Sequence, residues 1–333
     1  MASNGPRFLP DPTSKDTAWL FPGQGAQEVG MGRDLYEASA AARQVFDVAD
    51  RVLGYGLSEI CFRGPEERLR ETEVTQPAVL ATSLACLAAA VESGFVRQRP
   101  AFVAGHSLGE YTALVAAGAV SLEDGLLLLR ERARLMAAAG KANPGTLAAI
   151  IGLDEDAVRA ICREADVDAC NLNLPAQTVV GGAHAAVARA IEMAKARGAQ
   201  RALELNVSGA FHSRLMAPAV EGLAKAVAAA KIVDPRVTVV ANASATPLAD
   251  AAAVRDELCS QVAHAVRWHE SVTLMAAAGV STFIEFGPGR VLTGFARRLA
   301  PGAELKNVSS LADLPAGRQA STGDRAASVS KRA

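Results

Sequence analysis

One serine stands between two glycines in "FVAGHSLGEYTALVAAG" (102–118), after a short apolar run and before a run that reads as a helix. "GHSLG" (105–109) fits G-x-S-x-G. A strand that turns this sharply into a helix forces its serine into a strained backbone, and the close neighbours must be glycine to leave room. The hydroxyl of Ser107 then stands at the top of a sheet. The N–H of Leu108 points the same way from a helix N-terminus, where partial positive charge stabilises an oxyanion. The bland alternative is a packing turn in which Ser107 is an N-cap.

A serine nucleophile needs a base. The histidines are His106, His184, His212, His264 and His269. His106 is adjacent to Ser107, and its side chain should diverge from the serine's. His184 reads as a solvated residue at a helix start. His264 and His269, in "QVAHAVRWHESV" (261–272), are five apart and off a common helix face, which argues against a metal pair. His212, in "NVSGAFHSRLM" (206–216), is the best base candidate, with a structural histidine as the alternative. No acid completes a triad here, but a backbone carbonyl on Nδ1 can orient a base instead. Arg130, Arg132 and Arg134 lie on one otherwise apolar helix, where most arginines are solvated or in surface pairs. "GQGAQE" (23–28) puts Glu28 where a dinucleotide loop wants its third glycine, and no Walker or metal motif occurs.

These residues need a scaffold. "TAWLF" (17–21), "AFVAG" (101–105), "VTVVAN" (237–242) and "TFIEFG" (282–287) read as strands between helical stretches. This alternation predicts an α/β core with a mainly parallel sheet over 17–144 and 208–311. Between its halves, 145–207 reads as β-α-β-α-β, a small inserted subdomain. Residues 1–16 and 312–333, small and polar, read as a flexible N-terminal tail and a disordered C-terminal tail.

The chain has 333 residues, half of them hydrophobic, and a formal net charge of −1. That balance gives no reason to expect nucleic acid or a membrane surface as partner. The five cysteines form no C-x-x-C pair, so reduced thiols are expected and a disulfide framework is not. The N-terminus lacks the pattern of a secretory signal, and the apolar run 78–91 is too short to span a bilayer. A soluble cytoplasmic protein is expected.

Several stretches together resemble the malonyl-CoA:acyl-carrier-protein transacylases, and with them the acyltransferase domains of polyketide synthases. They run from "FPGQGAQEVGMG" (21–32) through "TQPAVLATSLA" (75–85), "GHSLGEYTALVAAGAVSLEDGLLLLRERARLM" (105–136), "NLNLPAQTVVGG" (171–182) and "VSGAFHSRLM" (207–216) to "EFGPGRVLTGFARR" (285–298). The resemblance implies an α/β-hydrolase-like core with a ferredoxin-like small subdomain. It implies Ser107 as acylated nucleophile, His212 as base, and the N–H groups of Gln24 and Leu108 as oxyanion hole. Arg132 would hold the malonyl carboxylate, and Gln76 would line the pocket. Phe211 would leave no room for an α-methyl branch. Gln261 would orient His212 through its main-chain carbonyl. The implied reaction is ping-pong transfer of malonyl from malonyl-CoA to the phosphopantetheine thiol of an acyl carrier protein, for fatty acid or polyketide synthesis, with no resident cofactor. A serine hydrolase or thioesterase is the rival, and a silent carrier-binding scaffold a further one. Leu174 and Ala265 depart from the family pattern, one in the pocket wall and one near Gln261. Arg290, Arg297 and Arg298 are candidates for a basic rim that meets an acidic carrier.

Overall fold

The computed structural model describes residues 8–315. In chain order its strands are β1 (Thr17–Phe21), β2 (Phe102–Gly105), β3 (Thr146–Ile151), β4 (Asp168–Leu174), β5 (Gln177–Gly182), β6 (Arg201–Glu204), β7 (Thr238–Val240), β8 (Pro247–Leu248), β9 (Thr282–Phe286) and β10 (Glu304–Val308). Six form one sheet in the order β10-β9-β1-β2-β7-β8, parallel except for the short β7–β8 pair. The central strands are buried along nearly their whole length, as in a sheet covered by helices on both faces.

The other four strands form an antiparallel sheet in the order β4-β5-β3-β6, with the helices Glu155–Ala165 and His184–Ala196 packed on it. This is the ferredoxin-like order. The sequence reading found only three of these strands. It missed β4: Cys170, Leu172 and Leu174 alternate with Asn171 and Asn173, but Asp and Asn are poor strand formers and read as loop. β10 was also unread, because its Glu304, Lys306 and Asn307 look like loop on an edge position.

Two further expectations change. The helix Thr72–Glu92 is longer than the apolar run 78–91, and long and apolar enough by composition to cross a bilayer. It is instead the central helix of the core, with 94% of that apolar stretch buried inside the protein. The described part of the expected N-terminal tail is packed: Leu9 and Ser14 are buried, and Ser14 N–H donates to the Arg99 carbonyl at 2.8 Å. Residues 311–313 form a short 3-10 turn capped by Ser310 and Asp313. The rest of both expected tails, 1–7 and 316–333, lies outside the described residues.

Candidate active site

β1 and β2 are neighbours in the sheet, with Phe21 paired to Gly105, so the loops leaving both carboxyl ends emerge side by side. One loop carries Gln24 and the other Ser107. Crevices at the carboxyl ends of parallel strands are where open α/β sheets hold their ligands. The turn after β2 is as tight as its glycines require. A Cβ on Gly105 would lie 1.8 Å from the Gly109 carbonyl oxygen, and one on Gly109 would lie 2.2 Å from that of Phe21. Ser107 itself sits at φ 55°, a left-handed conformation that costs a non-glycine residue free energy. Asn242, just beyond β7, stabilises that turn. Its Oδ1 accepts from Ser107 N–H and its Nδ2 donates to the Gly105 carbonyl, both at 2.7 Å.

The Ser107 hydroxyl donates to His212 Nε2 at 2.7 Å. His212 is buried and also sits at positive φ, 63°. Its Nδ1–H is shared between the carbonyls of Gln261 at 3.1 Å and His264 at 3.0 Å. Both partners are acceptors, so Nδ1 carries the proton and Nε2 is free to receive one. Burial, reinforced by the nearby Arg132 charge, pushes the His212 pKa down to about 3. The imidazole is therefore neutral, as a base must be. The Ala265 departure leaves this support in place, since Val266 bridges to Asn171 and the turn Gln261–Ala263 presents its carbonyl to His212.

Arg132 lies on the inner face of the helix Leu122–Ala142 and is 1% exposed. It donates to Ser107 Oγ at 3.1 Å, to Gln76 Oε1 at 2.7 Å and to Gln261 Oε1 at 2.9 Å, and it stands over the Tyr111 ring. These partners carry no carboxylate. A buried guanidinium whose hydrogen-bond partners are all neutral, beside a serine hydroxyl, can receive an anionic group. Gln76 reaches back along its own helix to Thr72, and the Thr72 hydroxyl donates to Gln24 Oε1 at 3.0 Å. This polar chain spans the floor from Arg132 to the Gln24 loop. Among the described residues, the N–H groups of Gln24 and Leu108 have no backbone acceptor.

These side chains open into a cleft of about 560 Å³ between the large sheet and the small subdomain. Gln24, Gln76, Ser107, Leu108, Arg132, Phe211 and His212 all line it, so the chain's distant stretches converge there. Met136, Leu147, Leu205 and Val207 add apolar wall. Leu174 is buried away from the cleft, and Asn171 lines it instead. His106 turns aside as its position beside the serine predicts. It hydrogen-bonds Asn173 at 2.8 Å and packs on Trp268. Arg290, Arg297 and Arg298 do not line the cleft; Arg70 does, paired with Glu66 at 2.6 Å. Sequence reasoning also missed Asn242, Thr72 and Glu110. The motif "GHSLGE" contains Glu110, but nothing in a linear reading shows that its carboxyl turns inward.

Comparison with known proteins gives the family. The chain matches the acyl transferase domain family over residues 18–319. It is 45% identical over 297 residues to the malonyl CoA-acyl carrier protein transacylase of Bacillus subtilis (strain 168), covering 88% of this chain and 92% of that protein. The chain belongs to the malonyl-CoA:acyl-carrier-protein transacylase family. The transacylase of Haemophilus influenzae is 40% identical, with 91% of this chain and 98% of that one covered. Among solved structures, an acyl-carrier-protein S-malonyltransferase from Bartonella henselae superposes with a TM-score of 0.86 at 41% identity, covering 90% of this chain and 96% of that one. A malonyl-transacylase in complex with its type II polyketide synthase acyl carrier protein gives 0.86 at 39% identity, covering 90% and 97%.

Proposed function

We propose that the Ser107–His212–Arg132 cluster transfers a malonyl group from malonyl-CoA to the phosphopantetheine thiol of an acyl carrier protein. The observation that carries this reading is a buried, carboxylate-free Arg132 hydrogen-bonded to the same Ser107 hydroxyl that donates to His212. An acyl donor with a free carboxylate meets the guanidinium, and its thioester carbonyl meets the serine.

His212 Nε2 takes the hydroxyl proton as Ser107 Oγ attacks the thioester carbon. The negative charge that forms on the carbonyl oxygen is received by the N–H groups of Gln24 and Leu108. Collapse breaks the C–S bond, His212 returns the proton to the departing sulfur, and coenzyme A leaves. A malonyl-serine ester remains. The carrier thiol then enters, gives its proton to His212 and attacks the ester. The second collapse restores the Ser107 hydroxyl. Because one base serves both halves, His212 does not need to move. Gln261 and His264 hold its Nδ1–H throughout. Phe211 narrows the cleft against α-branched acyl groups.

The reaction so described uses no resident cofactor and no nucleic acid or membrane partner. The same reading places the enzyme in the cytoplasm, where thiols stay reduced, which suits its five free cysteines. Intact-mass measurement tests it. Malonyl-CoA is expected to add one malonyl group to the protein, and holo-carrier protein to remove it. Ser107→Ala is expected to give no adduct while remaining folded. Release of free malonate without a carrier would instead make the protein a hydrolase.

A further inference from the structure

Glu110 is fully buried, three residues after the nucleophile, and the reaction above leaves it without a task. It faces Glu257, itself buried, on the helix Ala251–Ser260. Glu110 accepts from Asn242 N–H at 2.7 Å and from Gln261 Nε2 at 2.8 Å, and Glu257 accepts from Ala243 N–H at 2.8 Å.

Gln261 is the hinge of this arrangement. Its Nε2 donates both to Glu110 and to the Ser107 carbonyl at 2.8 Å, and its Oε1 accepts from Arg132. A carboxamide is nearly symmetrical in shape, so only its partners decide which end faces Arg132. Were it flipped, NH₂ would face the guanidinium and two donors would collide. Two acceptors, the Ser107 carbonyl and a Glu110 oxygen, hold the NH₂ end away from Arg132. We propose that Glu110 is a positioning residue for acyl recognition: with the Ser107 carbonyl it anchors the Gln261 amide, which aims Arg132 at the incoming carboxylate. This rests on the reading of Arg132 as the carboxylate's partner.

Burial holds both carboxyl groups protonated to higher pH than a free glutamate, and Glu110 the more strongly because it also faces the Glu257 charge. Each Glu110 oxygen accepts from a different N–H, so an amide at this position keeps only one of the two contacts.

The test compares acyl transfer from malonyl-CoA and acetyl-CoA to holo-carrier protein, with KM and kcat separated. Glu110→Ala is expected to lower the malonyl-to-acetyl ratio of kcat/KM by about tenfold, mainly through the malonyl-CoA KM. Glu110→Gln, which keeps one acceptor oxygen of the two, is expected to lower the ratio by less than Glu110→Ala does. With Arg132→Ala already present, Glu110→Ala is expected to leave the ratio unchanged. Equal losses for both acyl donors in Glu110→Ala would overturn the proposal, since Glu110 would then only support the serine turn. If Glu110→Ala does not fold, Glu110→Asp, which withdraws the acid from Gln261 by one methylene, must lower the ratio; an unchanged ratio there overturns the proposal. An Arg132→Ala variant with the parental ratio would sink the carboxylate reading first, and this proposal with it.

Discussion

Arg132 and His212 are the two residues whose surroundings make the sharpest claims. A malonyl carboxylate that enters the cleft loses water and recovers it only through the guanidinium. Removing one partner of a buried pair costs about 3–5 kcal/mol. At 1.4 kcal/mol per decade, Arg132→Ala is expected to lower malonyl transfer by about two to three powers of ten. Acetyl transfer, with no carboxylate to strand, is expected to hold or rise. Arg132→Lys restores only part, because an ammonium cannot present two parallel N–H groups. Equal losses for both substrates would remove Arg132 from acyl recognition. His212 makes a claim about pH. Its ordinary value is 6.5 and its folded value is about 3, so it stays neutral as pH falls through 6.5. The single-turnover acylation rate is expected to stay flat from pH 7.5 to about 5 rather than halve near 6.5. The sign for stability follows. The unfolded chain binds this proton below 6.5 and the folded chain does not, so His212 lowers stability as pH falls between 6.5 and about 3. A midpoint near 6.5 in the acylation rate would show that the site does not depress His212.

At the scale of elements, the strand–turn–helix at Ser107 depends on space as much as on chemistry. Gly105→Ala would drive a methyl group to 1.8 Å from a carbonyl oxygen that the helix Gly109–Ala116 cannot move. The expected cost is about 4 kcal/mol or more, in the range reserved for severe steric conflict, read as a shift of the urea midpoint. Gly294 is the contrast. It lies in the helix Val291–Leu299, and a Cβ there meets nothing within 4 Å. Gly294→Ala is expected to stabilise by about 0.5–1 kcal/mol, because alanine loses less backbone entropy in a helix. A tolerated Gly105→Ala would mean that the turn relaxes, and the account of the strained serine would fail.

The whole molecule turns on the helix Thr72–Glu92. Composition alone makes it a candidate membrane span, yet it carries Gln76 into the cleft and packs against both neighbouring helices and the sheet. A helix buried on all sides has no face left for lipid. Vesicle flotation of the folded protein is therefore expected to leave it in the unbound fraction. Leu84→Ala, at the centre of that helix, is expected to cost about 2–5 kcal/mol by the cavity it leaves. Flotation with vesicles under native conditions would show that the helix leaves the core.

Local chemistry was legible from the chain alone. G-x-S-x-G bounded by an apolar strand and a helix determined the turn, because glycine is the only residue whose volume permits it. The β-like runs at Thr17–Phe21 and Thr282–Phe286 determined the central strands, because a strand buried on both faces is mostly apolar; Glu285 is the exception, its buried carboxyl accepting from the N–H groups of Leu292 and Thr293. Polar strands escaped that logic: β4 alternates over 170–174, but its Asp168, Asn171 and Asn173 are residue types that strands disfavour, and pairing with β5 holds it in place. The partners of the catalytic groups escaped it too. Ser107, Arg132, His212, Asn242 and Gln261 are scattered over more than 150 residues, and only the sheet order and the packing of three helices bring them within hydrogen-bonding distance. The same holds for Glu110 and Glu257. A sequence shows that a carboxyl group is present. Only burial against a second one makes it hold a proton, because the free energy of ionisation is set by what surrounds the group and not by its place in the chain.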